Sequence, residues 1–139
     1  MPGDPAHLLT QKPRLARGVL WLVVEDDREA RDTMVITRAG SERVHEFAFR
    51  LAERRKARGK PGRVTCVDKA NVFTSMAFFR KVFDEVAARH PAIAAERHYV
   101  DATALDLVRR PWTFDVMVTE NMFGDILSDQ AAALIGGMG

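Results

Sequence analysis

The spacing of apolar and polar residues changes several times along the chain, and each change marks an element. GVLWLVV (18–24) is a continuous apolar run, the pattern of a buried strand. The mostly charged EDDREARDT that follows predicts a loop or a weak helix. Over 41–58, Val44, Phe47, Ala48 and Leu51 fall at i, i+3, i+4 and i+7, which predicts an amphipathic helix with those four inside. Glu42 and Glu46 lie toward its start. Arg54, Arg55, Lys56 and Arg58 lie toward its end, as the helix dipole favours. GKPG (59–62) stops it.

RVTCVDK (63–69) predicts a strand. A second helix is expected from about Ser75, with Phe79, Val82, Phe83 and Val86 inside and His90-Pro91 as its stop. RHYVD (97–101) predicts a short strand, and ATALDLV a short helix that ends before Pro111. FDVMV (114–118) predicts another strand, and residues 124–135 a helix. Strands alternating with helices imply an α/β fold, a layered sheet with flanking helices. Residues 1–17 hold three of the six prolines and no period, so they read as a tail or severed linker ahead of a domain at 18–139.

Composition narrows the classes. The chain has 139 residues, a one-domain length, with 47% hydrophobic and 29% charged residues. Its formal charge of +2 is too balanced to argue for a nucleic-acid partner. No run has the length of a membrane helix, and MPGDPAHLLTQKPRL lacks the apolar stretch of a signal peptide. The single cysteine, Cys66, fits a reducing compartment, so the expected location is cytoplasmic.

Candidate chemistry gathers in a few places. In TENMFGDILSD (119–129), Asp125 and Asp129 stand one helical turn apart among apolar residues. Such a pair is most often a solvated surface pair near a helix start. It is also what a hard cation such as Mg²⁺ or Mn²⁺ prefers, with further ligands from elsewhere. Asp101, at the end of the RHYVD strand, is either the N-cap of the next helix or such a ligand. Lys69 follows a strand beside Asp68 and Asn71; it is a surface lysine or, near a cation, a general base. Cys66 reads as core, and the four histidines share no metal-ligand spacing. VVEDD (23–27) resembles the acidic strand end of two-component receiver domains, but Glu120 lies too late in the chain to be their phosphoacceptor.

Taken together, ITRAGSERVHEFAF (36–49), VTCVDKANV (64–72), HYVDATALDLV (98–108) and TENMFGDILSD (119–129) resemble one family. It is the metal-dependent β-decarboxylating 2-hydroxyacid dehydrogenases, covering isocitrate, 3-isopropylmalate and tartrate/D-malate dehydrogenases. The wording is most similar to the isopropylmalate branch, which would place the chain in leucine biosynthesis. The resemblance implies the fold of that family's smaller central domain and NAD-dependent oxidative decarboxylation of a 2-hydroxy dicarboxylic acid. It implies Asp125, Asp129 and Asp101 as ligands of Mg²⁺ or Mn²⁺, Lys69 as general base and Asn71 near the nicotinamide of NAD. It further implies a homodimer with a composite site, to which Lys69 and Asp101 come from the neighbouring subunit.

The chain departs from the family in one segment. The first strand runs into EDDREARDTM, where the family carries a substrate arginine, a tyrosine proton donor and part of a dimer-clasping arm. The only tyrosine, Tyr99, belongs to the YVD motif. The family's N-terminal region and adenosine-binding loop have no counterpart either. The expectation is a central domain with an internal deletion, inactive by itself, or a non-catalytic fragment that binds metal and dimerises.

Overall fold

The computed structural model describes residues 15–16, 19–26 and 28–137. The chain divides between Thr37 and Arg38 into two compact units.

The first unit holds an antiparallel sheet in the order β1 (Leu15–Ala16), β2 (Val19–Asp26), β3 (Glu29–Met34). The apolar run forms β2 as expected. The segment read as a loop or weak helix is instead strand β3, paired with β2 from Val19↔Met34 to Leu22↔Arg31. Its side chains from Glu29 to Thr33 are exposed, so backbone pairing makes this strand without any apolar period to announce it. Of the presumed tail at 1–17, only Leu15 and Ala16 lie among the described residues, and they pair with β2.

The second unit runs α1 (Arg38–Lys56), β4 (Arg63–Asp68), α2 (Thr74–Ala87), β5 (Ala94–Tyr99), α3 (Val100–Arg109), a 3-10 turn at Pro111–Thr113, β6 (Val116–Val118) and α4 (Asn121–Leu134). Its sheet has the order β5-β4-β6, and β4 runs parallel to both neighbours. Helical crossovers cover both faces of such a sheet, which is why residues 64–68 of β4 are all buried. Val64 and Cys66 point to one face, where Phe49, Ala52, Met76, Val82, Phe83 and Val86 are fully buried on α1 and α2. Val67 points to the other, in a cluster with Leu107 of α3 and Leu127 of α4.

Helix α1 turns a different face inward from the one its hydrophobic period predicts. Ser41, His45, Ala48, Phe49 and Ala52 are buried, while Val44 is exposed and Phe47 is 62% exposed. The polar members explain the difference. His45 lies between Phe79 and Phe83, with Nε2 3.1 Å from the Phe79 carbonyl, so a residue not counted as apolar occupies the inner stripe.

The loop between α1 and β4 is held by one buried acid. Asp115 accepts from Arg55 Nε at 2.6 Å and from the amides of Gly62 and Arg63 at 2.9 and 3.2 Å. Gly62 has φ +71°, and a Cβ there would lie 2.6 Å from the Lys56 side chain, so only glycine fits.

The strand expected at 97–101 is β5, which ends at Tyr99. Asp101 therefore lies within the first turn of α3, and the N-cap is Tyr99, without a side-chain cap bond. An acid inside a first helical turn still meets the positive end of the dipole, which is why both placements share one sequence signal.

Candidate functional site

The carboxyl ends of parallel strands are where α/β sheets place their chemistry, because the loops leaving them diverge. Here β4 delivers Asp68, Lys69 and Asn71, β5 delivers Tyr99 and Asp101, and β6 leads through Thr119 and Glu120 into α4.

Lys69 Nζ donates to Asp101 Oδ1 at 2.5 Å, and that bond holds the Asp101 carboxyl below the usual range. Lys69 Nζ also lies 5.8 Å from the centre of the Tyr99 ring. The Lys69 carbonyl accepts the amides of Val72 and Phe73, which tightens the turn into α2. Asn71 sits exposed on this turn, with its amide open to a ligand. Val72 and Phe73 beside it are exposed as well, at 61% and 43%.

Helix α4 carries the other acids. Glu120 caps it, accepting from the amides of Met122 at 2.9 Å and Phe123 at 2.6 Å. The Thr119 hydroxyl ties the strand end to β4 by donating to the Val67 carbonyl at 2.8 Å. Phe123 and Leu127, four apart, are buried, so Asp125 and Asp129 share the outward face. Among the described residues neither carboxylate has an ion-pair partner, which leaves two hard oxygen donors uncompensated one turn apart.

Thus the sequence-predicted residues fall into two groups. Lys69, Asp101 and Asn71 stand at the ends of β4 and β5. Asp125 and Asp129 stand on α4. Among the described residues, no three His, Cys, Asp or Glu side chains converge where they could hold a metal. The donor chemistry fits Mg²⁺ or Mn²⁺, but one chain offers it as a pair of carboxylates and a separate single one.

Sequence reasoning missed two functional supports. Glu120 was weighed only as a phosphoacceptor, although Glu three residues before Phe123 is well placed to cap a helix. Arg80 was not singled out. Its signal is positional: Met76, Phe79, Arg80 and Phe83 follow i, i+3, i+4, i+7, so an arginine stands on the inner face of α2. It meets Asp68, whose carboxylate is fully buried, through Nε and Nη2, both at 2.8 Å.

Comparison with known proteins identifies the family of the chain. The sequence pattern of the isocitrate/isopropylmalate dehydrogenase family matches residues 15–139. The chain is 51% identical to 3-isopropylmalate dehydrogenase of Listeria monocytogenes over 153 residues, covering 100% of this chain and 42% of that protein. It is 49% identical to 3-isopropylmalate/3-methylmalate dehydrogenase of Methanocaldococcus jannaschii over 108 residues, 77% of this chain and 32% of that one. The fold is similar to the crystal structure of isocitrate dehydrogenase from Methylococcus capsulatus, with TM-score 0.75 and 40% identity over 84% of this chain and 34% of that one. The chain therefore spans less than half the length of the curated relatives it matches.

Proposed function

The chain belongs to the isocitrate/isopropylmalate dehydrogenase family, and from that premise we propose that it supplies the base and metal-ligand half of an oxidative decarboxylation site. The substrate would be a 2-hydroxy dicarboxylic acid such as 3-isopropylmalate, with NAD as oxidant and a homodimer as the working form. The observation that carries this reading is that no three acids of the described residues converge in one chain, while Lys69 pairs with Asp101. Lys69 with Asp101 and Asp125 with Asp129 would then be two half-sites that a second copy joins.

Asp125 and Asp129, with Asp101 of the partner subunit, would hold Mg²⁺ or Mn²⁺. Bound there, the metal would supply Lewis-acid polarisation of the substrate's 2-oxygen, and NAD would supply the hydride acceptor. The chain's own residues do the rest. Lys69, released from Asp101 and having passed its ammonium proton to solvent, would take the proton of the substrate hydroxyl at Nζ. Asn71, two residues further along the same turn, offers its amide to the nicotinamide side. The β-carboxylate then departs as CO₂. A cytoplasmic location accompanies the reading. It is supported by the lone buried Cys66, whose thiol burial pushes well up, and by the lack of any membrane-length apolar helix among the described residues.

The second reading, a non-catalytic module that binds metal and dimerises, is favoured by the sequence of β3. Its EARDTM carries no tyrosine, and the lone Tyr99 sits on β5 beside Lys69. Calorimetric titration of Mn²⁺ into the chain, run beside Asp125→Ala, tests the metal half. Saturable binding that the substitution abolishes supports it, and no binding in either protein overturns it. Turnover of 3-isopropylmalate with NAD by the metal-loaded chain then separates enzyme from module.

A further inference from the structure

We propose that Arg80 is a positioning residue of this site, bridging the buried Asp68 and lying against Tyr99 so that the turn between them aims Lys69. The inference rests on the reading of Lys69 as the base and adds to it the device that holds the base in place.

Asp68 is the last residue of β4 and is fully buried, a costly place for a carboxylate. Its oxygens are used completely. Arg80 donates Nε to Oδ2 and Nη2 to Oδ1, both at 2.8 Å, and the Ala70 amide donates to Oδ1 at 2.9 Å. The Cys66 thiol donates at 3.7 Å from the same strand face. Asp68 therefore clamps the backbone on both sides of Lys69, through its own Cα on one side and the Ala70 amide on the other. Replacing a buried ion pair with apolar residues is often neutral or stabilising, so burial of this pair serves geometry better than stability.

The other side of the guanidinium completes the device. Arg80 Cζ lies 5.0 Å from the centre of the Tyr99 ring, and Lys69 Nζ lies 5.8 Å from the same ring. Tyr99 stands two residues before Asp101, the acid that Lys69 meets. One aromatic platform thus sets the base and its clamp in a fixed relation across β4 and β5. Only a planar, forked cation can bind both oxygens of Asp68 and also lie on a ring.

The test is Arg80→Lys in the 139-residue chain, read by NMR and amide exchange. The substitution keeps the charge and loses the fork. Amide exchange at Ala70 should quicken by about tenfold or more, the scale of one charge-assisted hydrogen bond. The ring-current shift of the Lys69 ε-methylene protons should collapse toward that of free lysine. Neither change should appear at distant amides such as those of α1. A uniform rise in exchange with the Lys69 shift retained would make Arg80 a structural residue only and overturn the proposal. Should Arg80→Lys fail to fold, Tyr99→Leu provides the second arm, because Tyr99 is 38% exposed and carries little core. It removes the ring behind the Lys69 shift, so the readout is Ala70 exchange, which should quicken while distant amides stay unchanged; an unchanged Ala70 would overturn the platform. Both readouts are independent of metal and turnover. A chain that binds no Mn²⁺ yet shows them keeps Arg80 in its role, whereas one that binds Mn²⁺ without them does not.

Discussion

His90 stands with its ring nitrogens shared between two acids of α1, Nδ1 2.7 Å from Glu53 Oε1 and Nε2 3.1 Å from Glu46 Oε2. Its ring stacks on Phe49 at 5.1 Å with an interplanar angle of 14°. Both nitrogens can donate only in the imidazolium form. Burial opposes that form, but the bonds to Glu53 and Glu46 outweigh it, and the folded pKa is raised. Glu46 is lowered in turn, first by its bond to His90 and also by Arg50. The stabilisation is fully present below the unfolded histidine pKa of about 6.5 and is lost as pH rises through the raised folded value. Urea midpoints should therefore fall between pH 6 and pH 8 in the wild type, and His90→Gln should flatten that fall. An equal slope in the variant would remove the clasp from the account.

His45 titrates with the opposite sign. Its burial lowers the pKa to about 4, against a weaker raising effect from the Phe79 carbonyl. The neutral ring stabilises the fold above about pH 6.5, and that contribution disappears as pH falls toward 4. A shift of this size corresponds to something on the order of 3 kcal/mol. Acid unfolding followed by circular dichroism should begin near pH 6 and steepen toward pH 4. His45→Phe, which fills the space between Phe79 and Phe83 without a titrating group, should move the onset to lower pH.

Asp115 joins three parts of the second unit through a side chain that is 1% exposed. Burial raises its pKa, but Arg55 and the amides of Arg63 and Gly62 lower it further, and the net shift is downward. Asp115→Ala leaves two part-buried amides and a guanidinium without their acceptor. The expected loss is on the order of 2–4 kcal/mol by chemical denaturation. A loss within about 0.5 kcal/mol, the range of an ordinary surface change, would show that solvent replaces the acid.

These sites show what a sequence can and cannot announce. The DKAN, YVD and DxxxD stretches stand out because they set charged residues among apolar ones. The structure places Lys69 just past β4, Asp101 in the first turn of α3, and Asp125 and Asp129 on α4. The strands β4 and β6 were legible because their buried side chains are mostly apolar, and β2 because its residues form an apolar run. Helix α1 was found but turned the wrong way, since His45 and Ser41 belong to the core and Val44 and Phe47 do not. The strand β3 was missed because exposed, charged strands are held by backbone pairing, which leaves no period. Arg80 was missed because its partner, Asp68, comes to it only through the β4–α2 turn.

Glu120 links the cap of α4 to the acids one turn further on. Its carboxylate takes the amides of Met122 and Phe123. Removing such a cap costs about 1 kcal/mol and frays the first turn, directly ahead of Asp125. Glu120→Ala should lower the thermal midpoint slightly and weaken Mn²⁺ binding several-fold, while Glu120→Asp, a strong capping type, restores much of both. Equal Mn²⁺ affinity in Glu120→Ala would mean that the acids do not depend on the cap.

Dimerisation should run through the outer faces of α3 and α4. Leu105 and Val108 on α3 are 54% and 63% exposed, and Met122 and Ile126 on α4 are 49% and 57% exposed. The two helices are joined by Gln130 Nε2, which donates to the Ala104 carbonyl at 2.8 Å. Asp125 and Asp129 lie on the same outward side of α4 as Ile126, which places these two acids where a second copy would meet them. Light scattering at micromolar concentration should give at least a dimer. Ile126→Glu places a charge in that face without touching the core, so the variant should fold with an unchanged thermal midpoint in the monomer yet fail to dimerise. It should also lose Mn²⁺ affinity, although Asp125, Asp129 and Asp101 are all intact, because a monomer cannot bring them together. A wild-type chain that is a clean monomer, or an Ile126→Glu monomer that binds Mn²⁺ as tightly as the wild type, would remove the composite site.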